Sequence, residues 1–455
     1  ICDQAGECVL QEHYATYSLQ PSRLAHRKVA KNKALPLGPR VLLDAERCIL
    51  CTRCVRFCEE IPKTPELIVE DRNNNAEIAT FPGRQLENPY SLNVVDICPV
   101  GALTDRRFRF QKRVWFLDKR DSVCTGCARG CALRVDSAQG KLERVVPRYN
   151  PAVNSYWLCD DGRDWMHERS RLAAAVGRVG AAEGADLADQ VARIANWWAD
   201  DEGEEAETPA IALSASLANE DIYAWAALAS AAGSAVYLLD RAPQAEDELL
   251  KTADRDCNRA GAAAILRAVV GEFGDAAAFE AAAESLDALL LVDADAHLGE
   301  LGMIAVAELE AVAVLTDVAS AASEAAELVV PVAGFYRREG TVVNSQGYVQ
   351  RIGKPLSAWR DRPSAAAVAA AVAKALDLDL GLDQPDAAGL FAAIAAAVPE
   401  FAGLKLADVG ALGAGFGAEG ARPALPEVAE GTAGWEPDTV HPTHERPFAI
   451  HRGCS

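Results

Sequence analysis

The sequence predicts a small, cysteine-rich α+β region followed by a larger α/β domain with a parallel sheet. Three observations predict this division. Eleven of the 13 cysteines lie within the first 159 of the 455 residues, in tight spacings. Residues 1–171 carry 27 Lys and Arg against 22 Asp and Glu, whereas the rest of the chain carries 18 against 44. Beyond residue 173, short apolar segments alternate with helical patterns, as they do in βαβ units.

The clustered cysteines indicate metal binding rather than disulfide bonds. Disulfide frameworks belong mainly to short secreted chains, and this long chain shows no export signal. It also lacks an apolar run long enough to span a bilayer, so direct membrane insertion is not expected. The acidic second part argues against nucleic-acid binding, because phosphate recognition depends on Lys and Arg.

The first segment, residues 1–20, contains half of a metal site. Five residues separate Cys2 from Cys8. One of them, Gly6, allows the backbone to turn sharply. His13 is the nearest further candidate ligand, although its polar surroundings are more typical of a surface histidine. The sequence therefore predicts a partial ligand set here.

The second segment, residues 21–120, contains the run Cys48-Ile-Leu-Cys51-Thr-Arg-Cys54-Val-Arg-Phe-Cys58. This spacing is typical of bacterial ferredoxins and predicts a [4Fe–4S] cluster. The pattern normally ends in Cys-Pro, but here the Cys-Pro pair comes later, at Cys98. The simplest prediction is a cluster held by Cys48, Cys51, Cys54 and Cys98, with Cys58 buried beside it. In the alternative, Cys58 is the fourth ligand and Cys98 is the neighbour.

The third segment, residues 121–172, contains a second complete ligand set. Cys124, Cys127 and Cys131 are closely spaced, and Cys159 follows 28 residues after the last of them. A hairpin with its turn at Gly140 is predicted in between. Three clustered cysteines with a distant fourth predict another [4Fe–4S] cluster. Zinc bound by the same four thiolates is the alternative.

The fourth segment, residues 173–400, is predicted to form the α/β domain. Short apolar runs predict buried strands near residues 210, 236, 290 and 314. Helices are expected at 221–232, 302–312, 363–376 and 386–398. Residues 401–455 are rich in Gly and Pro, and a poorly ordered tail is expected beyond about residue 403. The pattern Gly415-x-Gly417-x-x-Gly420 follows no predicted strand, so we interpret it as a chance match to the dinucleotide fingerprint.

Cysteine motifs in this order resemble those of the large iron–sulfur subunit of NADH:quinone oxidoreductase, respiratory complex I. The resemblance is carried by residues 2–8, 47–57, 95–104, 124–131 and 159–163, and by residues 339–344 with Gly347 and Gln350. It covers about residues 1–375 and is most specific before residue 165. It implies a bacterial-type chain with an additional cluster and a truncated N-terminus. The histidine and cysteine ligands that precede Cys2 in that family are absent here.

The resemblance implies an electron-transfer subunit without a catalytic residue of its own. Electrons would arrive from an NADH- and flavin-binding subunit and pass through [4Fe–4S] clusters towards quinone, by way of quinone-side iron–sulfur subunits. The implied location is peripheral, on the cytoplasmic side of the bacterial inner membrane. The α/β domain is expected to keep a molybdopterin-oxidoreductase-like fold without that cofactor. A [2Fe–2S] cluster is expected only in the N-terminal part that this sequence lacks.

Three rival assignments stay open at this point. One is the catalytic subunit of an NAD-dependent formate dehydrogenase, in which the Cys124 cluster would serve a molybdenum pterin. Cys257 would then be the only cysteine available as a metal ligand in the α/β domain, and we interpret it as a small buried apolar residue. Another is the small electron-transfer subunit of a hydrogenase or diaphorase, against which the α/β domain argues. The third is a zinc-stabilised scaffold without redox function.

Overall fold

The computed structural model describes residues 2–425 except 19, 27, 180–186, 199–207, 295–296, 310, 355, 357–361, 383–385 and 419–420. The described chain forms two compact units. Unit 1 comprises residues 2–118 and 146–160, and unit 2 comprises residues 119–145 and 161–425. The finer five-segment division that the sequence suggests stays a prediction.

Unit 1 is built from short elements. Its helices are α1 (Val9–Tyr17), α2 (Arg53–Glu60) and α3 (Asn93–Asp96), and its strands are β1 (Leu35–Pro36), β2 (Val41–Leu43), β3 (Leu67–Glu70), β4 (Glu77–Thr80) and β5 (Leu103–Asp105). Strand β2 lies between β1 and β5 in an antiparallel sheet, and β3 pairs with β4. Val41 and Leu43 are fully buried on β2, because alternate side chains of a strand face the same side. Leu43 pairs with Leu103, and this pairing brings β5 next to the cysteine-rich loops.

Strands β6 (Asp118–Val123), β7 (Ala132–Ala138) and β8 (Lys141–Pro147) form a three-stranded sheet in that order. The turn between β7 and β8 has positive φ at Gln139 and Gly140. Glycine adopts this conformation without steric cost. The hairpin predicted around Gly140 is therefore confirmed.

The centre of unit 2 is a five-stranded parallel sheet. Its strands are β9 (Ala210–Ser214), β10 (Val236–Leu239), β11 (Ala288–Val292), β12 (Ala311–Thr316) and β13 (Leu328–Pro331), in the spatial order β10-β9-β11-β12-β13. The four predicted strands are confirmed. After β10 the chain crosses to the other side of β9 to form β11, so the strand order reverses between β9 and β11.

Helices cover both faces of this sheet, as expected for βαβ connections. One face packs against α5 (Leu187–Ala195), α6 (Asn219–Ala232), α7 (Arg259–Val269), α11 (Ala365–Ala375) and α12 (Ala387–Ala397), and the other against α8 (Ala276–Ala282), α9 (Glu300–Glu308) and α10 (Ala321–Ala325). A further helix, α4 (Asp160–Val179), precedes them in the chain. Trp225 of α6 is fully buried and donates a hydrogen bond from Nε1 to the carbonyl of Ala365, at 3.0 Å. Among the described residues, no helix has the length and apolar character needed to cross a membrane.

Two sequence predictions for unit 2 need correction. The helix expected at 302–312 is too long, because α9 ends at Glu308 and β12 begins at Ala311. The tail expected to be poorly ordered beyond residue 403 is packed up to residue 425, apart from residues 419–420. Val409 is buried in the core, and the antiparallel sheet of β14 (Gly340–Val343) and β15 (Tyr348–Ile352) is extended by β16 (Ala414–Gly415). Residues 426–455 lie outside the described part.

The Gly415-x-Gly417-x-x-Gly420 pattern lies at the end of this packed segment. Gly415 belongs to the two-residue strand β16 and pairs with Tyr348 in an antiparallel ladder. Up to residue 425, no described helix follows it, and Gly420 itself is outside the described residues. A dinucleotide fingerprint requires a parallel strand followed by a helix. The interpretation as a chance match is therefore consistent with the fold.

Candidate metal centres

Four cysteines of unit 1 face a single cavity with about 350 Å³ of open space. They are Cys48, Cys51, Cys54 and Cys98. Apolar side chains of Leu43, Ile78 and Leu103 line the same cavity and are buried. Cys58 is not among the lining residues. The structure thus brings together the four cysteines that were predicted as ligands from the position of the Cys98-Pro99 pair.

The loop that carries the first cysteines is held in an unusual conformation. Leu50 and Thr52 have φ values of 54° and 61°, in the left-handed region that residues with a Cβ rarely adopt. The backbone N–H of Leu50 donates a hydrogen bond to Sγ of Cys48, at 3.4 Å. Such strained residues cluster at functional sites. The curled loop directs Cys48 and Cys51 into the space that Cys54, on the first turn of α2, also faces.

Burial controls the charge of these thiols in the metal-free protein. Burial raises the pKa of Cys54 to about 12, and the neighbouring Cys98 and Cys48 add to the rise. Burial also raises the pKa of Cys98, although backbone hydrogen bonds from Leu103 and the adjacent loop oppose the effect. These thiols are therefore neutral at pH 7 without metal. Because iron binds the thiolate, metal binding would release their protons.

Cys58 has a different environment. It is fully buried, and the side chain of Asn88 hydrogen-bonds to its sulfur. Asn88 also donates from Nδ2 to the carboxylate of Glu66. Burial raises the pKa of Cys58 to about 12, and the charge of Glu66 adds to the rise. Cys58 thus differs from the four cavity cysteines in its place and in its partner Asn88, and its role as the neighbour of the cluster stays a prediction.

The half-site of residues 2–8 lies against the Cys98 loop. Gly6 has φ of +87°, which confirms the predicted sharp turn. The Nε2 of Gln4 donates to the carbonyl of Cys98, at 3.4 Å. Cys8 is buried at the N-cap of α1, and Cys2 is half-buried. His13 is exposed on α1 beside Tyr17, so the structure gives no support to it as a ligand.

Three cysteines of the second predicted set share one loop of unit 2. Cys124, Cys127 and Cys131 are all buried, and the N–H of Cys124 donates to the carbonyl of Cys131, at 2.9 Å. Burial raises the pKa of Cys124 to about 12, and Cys127 adds to the rise. Cys159 is also buried, but it belongs to unit 1 and lies immediately before α4. The fourth ligand of this set therefore stays a prediction.

The β14–β15 hairpin supports the loop of these three cysteines. It contains residues 340–344, Gly347 and Gln350, which take part in the resemblance to the large iron–sulfur subunit. The N–H of Ser345 donates to the carbonyl of Ala128, at 2.8 Å, and Nδ2 of Asn344 donates to that of Arg129, at 3.2 Å. Gly130 has φ of +60°, and a Cβ there would lie 3.0 Å from Cβ of Asn344, so glycine is favoured at this position. These contacts hold the Cys127–Cys131 stretch against the hairpin.

Cys257 lies in the interior of unit 2. It is fully buried, and its Sγ donates a long hydrogen bond to the carbonyl of Ser216, at 3.8 Å. Burial raises its pKa to about 12. Cys257 is thus a neutral, buried thiol, which agrees with the prediction of a small buried residue at this position.

The described part of the chain contains no group of three His, Cys, Asp or Glu side chains placed to coordinate a single metal ion. The twelve described cysteines are all free of disulfide bonds. The four thiols of unit 1 are instead distributed around a cavity. A [4Fe–4S] cluster uses four thiolates in this way, because each one binds a different iron atom. The donor set and the cavity therefore fit a [4Fe–4S] cluster.

Two family models match the cysteine-rich regions. Residues 38–104 match the NADH-quinone oxidoreductase subunit 3, ferredoxin-like domain, and residues 117–168 match the molybdopterin oxidoreductase Fe4S4 domain. These matches identify two iron–sulfur domains of the ferredoxin-like and Fe4S4 types within residues 38–168 of a chain with a mixed α/β fold. They include the cavity cysteines of unit 1 and all four cysteines of the second predicted set.

Curated relatives narrow this class. The chain is similar to NADH-quinone oxidoreductase subunit 3 of Thermus thermophilus, with 36% identity over 187 residues, which is 38% of this chain and 24% of the relative. It is also similar to the mitochondrial NADH-ubiquinone oxidoreductase 78 kDa subunit of Candida albicans, with 38% identity over 166 residues, or 36% of this chain and 23% of the relative. It is similar as well to the iron-sulfur protein 1 of mitochondrial NADH dehydrogenase from Solanum tuberosum. The two are 40% identical over 166 residues, which is 36% of this chain and 22% of the relative.

The resemblance to the large iron–sulfur subunit that the motifs indicate is therefore confirmed. The matched stretch spans less than a quarter of the length of the Candida and Solanum relatives and about a quarter of the Thermus relative. This matched stretch is homologous to part of the large iron–sulfur subunit of NADH-quinone oxidoreductase.

Proposed function

We propose that this chain is an electron-transfer subunit of an NADH:quinone oxidoreductase. The observation that carries the proposal is the cavity lined by Cys48, Cys51, Cys54 and Cys98 but not by Cys58. A bound [4Fe–4S] cluster supplies one-electron redox chemistry. The chain itself contributes no acid, base or nucleophile to such a step. Its task is to position the cluster and to set its reduction potential.

The surroundings of the cavity suit this task. Leu43, Ile78 and Leu103 give the cavity an apolar, buried side, whereas Cys51 is exposed to solvent. Burial and hydrogen bonding around the sulfurs are the features by which proteins tune cluster potential. Arg53 lies at the rim of the cavity and is exposed, so its charge acts through solvent. Arg56 is also exposed and does not line the cavity.

The remaining parts of the proposal concern the other cysteines. A second [4Fe–4S] cluster is assigned to Cys124, Cys127, Cys131 and Cys159, supported by the match of residues 117–168 to an Fe4S4 domain. Cys2 and Cys8 are proposed as two ligands of a third, partial [4Fe–4S] site.

The proposal also holds that the α/β domain functions without a molybdenum pterin. It is supported by the environment of Cys257, the cysteine considered as a molybdenum ligand, which is buried and hydrogen-bonded to the backbone at Ser216. The partners would be a flavin- and NADH-binding subunit and quinone-side iron–sulfur subunits, in a complex attached peripherally to the cytoplasmic side of the bacterial inner membrane. The names of the curated relatives support a place in such a complex.

The test is anaerobic reconstitution followed by low-temperature EPR of the reduced protein, with iron and acid-labile sulfide analysis. Two distinct [4Fe–4S] signals and about eight irons per chain are expected, since each cluster contributes four irons. Stoichiometric zinc without sulfide would contradict the proposal. Stoichiometric molybdenum and pterin would instead establish the formate dehydrogenase alternative.

A further inference from the structure

A second cavity lies in unit 2, at the carboxyl ends of two central strands. Ser216 follows β9, and Asp293 and His297 follow β11; all three line the cavity. The strand order reverses between β9 and β11. Open α/β sheets bind their ligands at this reversal, where the connections leave in opposite directions and open a crevice. The fold therefore places the cavity where a ligand is expected.

The residues that line the cavity include buried nitrogens that lack hydrogen-bond partners. Arg241 is 4% exposed at its side chain; its Nε donates to Asp256 at 3.0 Å and its Nη2 to the carbonyl of Thr125 at 3.0 Å. Among the described residues its Nη1 has no partner. His297 is 3% exposed; its Nε2 lies 3.0 Å from Oγ of Ser214, while its Nδ1 has no partner in the same part of the chain.

Arg338 shows the same feature. Its Nη1 donates to the carboxylate of Asp221, and within the described chain its Nε has no partner. A buried polar group without a partner is costly. All three nitrogens belong to residues that line one cavity, and an acceptor bound there would supply partners for them.

The other lining groups favour an anion. Arg169 contributes a third guanidinium, which also pairs with Asp293 at the cavity and with Asp317, at 2.8 Å. The guanidinium of Arg241 lies 4.6 Å from the ring centre of Trp165, which holds its plane in place. Three guanidinium groups and one imidazole line the cavity with the carboxylate of Asp293, so most of the polar groups that line it are hydrogen-bond donors. Their partners Asp256, Asp221 and Asp317 are not among the lining residues.

We propose that this cavity binds a small oxyanion of the phosphate class. Guanidinium forks match the oxygen geometry of phosphate. The hydroxyl of Thr125 accepts a hydrogen bond from Nε1 of Trp165, at 3.2 Å, and can donate its own proton to an anion. The cavity opens to solvent, so either a free phosphate or the phosphate end of an ester can reach it. This inference rests on unit 2 alone and does not depend on the proposed electron-transfer function.

The test is isothermal titration calorimetry of the full, cluster-reconstituted chain in phosphate-free buffer, with inorganic phosphate as the first probe. Saturable 1:1 binding is expected, with a rise in melting temperature. Arg241→Lys keeps the charge opposite Asp256 but removes the forked donors, so binding at least tenfold weaker is expected. The control Arg193→Lys alters a surface arginine that pairs with Glu327, and it should bind as the parent does.

Two further arms complete the design. A nucleoside monophosphate is the second probe. Tighter binding than free phosphate assigns the cavity to a phosphate ester, and equal or weaker binding assigns it to free phosphate. Ser216→Ala makes a smaller change should Arg241→Lys fail to fold, and binding several-fold weaker is expected. Absence of saturable binding of both probes, or unchanged binding by the variants, would overturn the proposal.

Discussion

The sulfur of Cys2 lies against Gly101 so closely that a Cβ added to Gly101 would lie 2.3 Å from it. Gly101 is three residues after Cys98 in the chain. The N-terminal half-site and the loop of the fourth cavity cysteine are therefore packed in direct contact within unit 1. The hydrogen bond from Gln4 to the carbonyl of Cys98 reinforces this contact.

Gly101→Ala tests this contact. The added methyl group must displace either Cys2 or the Cys98 loop, so we expect a loss of about 1–3 kcal/mol in the free energy of unfolding, typical of overpacking. Chemical denaturation measures the loss. Gly410→Ala is the matched control, because a Cβ there meets no atom within 4 Å. Equal stability of the two variants would show that the contact is not tight in solution.

A second prediction concerns pH. Glu220 is buried at the start of α6 and accepts hydrogen bonds from N–H and Oγ1 of Thr341, at 2.8 and 2.9 Å. Burial raises its pKa to about 7 from an ordinary value of 4.5, even though the bonds from Thr341 lower it. The folded state therefore holds this proton more strongly than the unfolded state. The stabilisation is complete below about pH 4.5 and is lost as the pH rises towards 7.

The shift in the pKa of Glu220 corresponds to a stability change of about 3 kcal/mol. Glu220→Gln should remove this dependence while it keeps a carbonyl acceptor for Thr341. Urea unfolding at pH 5 and pH 8 measures it. The parent should lose about 3 kcal/mol more than the variant between these pH values. The same pH dependence of stability in the parent and in Glu220→Gln would show that the raised pKa of Glu220 is not its cause.

The third prediction tests the hairpin that supports the Cys124 loop. Asn344 is buried, donates to the carbonyl of Arg129 and accepts the N–H groups of Gln346 and Tyr348. Asn344→Ala leaves these groups unpaired, so we expect a loss of about 1–3 kcal/mol in stability. We also expect the second cluster to lose iron to a chelator faster than in the parent protein. The decay of its EPR signal measures this loss.

Arg351→Ala is the matched control for Asn344→Ala. Arg351 lies on the same hairpin and forms an exposed ion pair with Glu339. Surface pairs of this kind contribute less than about 1 kcal/mol. If both variants lose iron at the same rate, the hairpin does not act through Asn344.

Sequence patterns predicted the framework of unit 2 well. The apolar runs near residues 210, 236, 290 and 314 all form strands of the parallel sheet, because a buried parallel strand is apolar on both faces. The predicted helix at 302–312 extended too far, because residues 303–316 contain no Gly or Pro that marks where α9 ends and β12 begins. Composition likewise gave no indication that β16 pairs with β15.

The two cavities differ in how far the sequence reveals them. The cysteine spacings locate the unit 1 cavity because its ligands are nearly all local in sequence. The unit 2 cavity depends on Arg241, His297 and Arg338, which are far apart in the chain and are brought together only by the strand order. Ser216 and Asp293, which closely follow the carboxyl ends of apolar strands, were the available signal.

The most direct test of the central claim compares Cys98→Ser with Cys58→Ser. Both residues are cysteines of unit 1, but only Cys98 faces the cavity of Cys48, Cys51 and Cys54, while Cys58 is bonded to Asn88. The measurement is iron and sulfide content with the low-temperature EPR spectrum of each reconstituted variant. The Cys58→Ser protein should keep the parent signal, and the Cys98→Ser protein should lose it or convert it to a three-iron form. The opposite pattern would contradict the assignment of Cys98 as the fourth ligand.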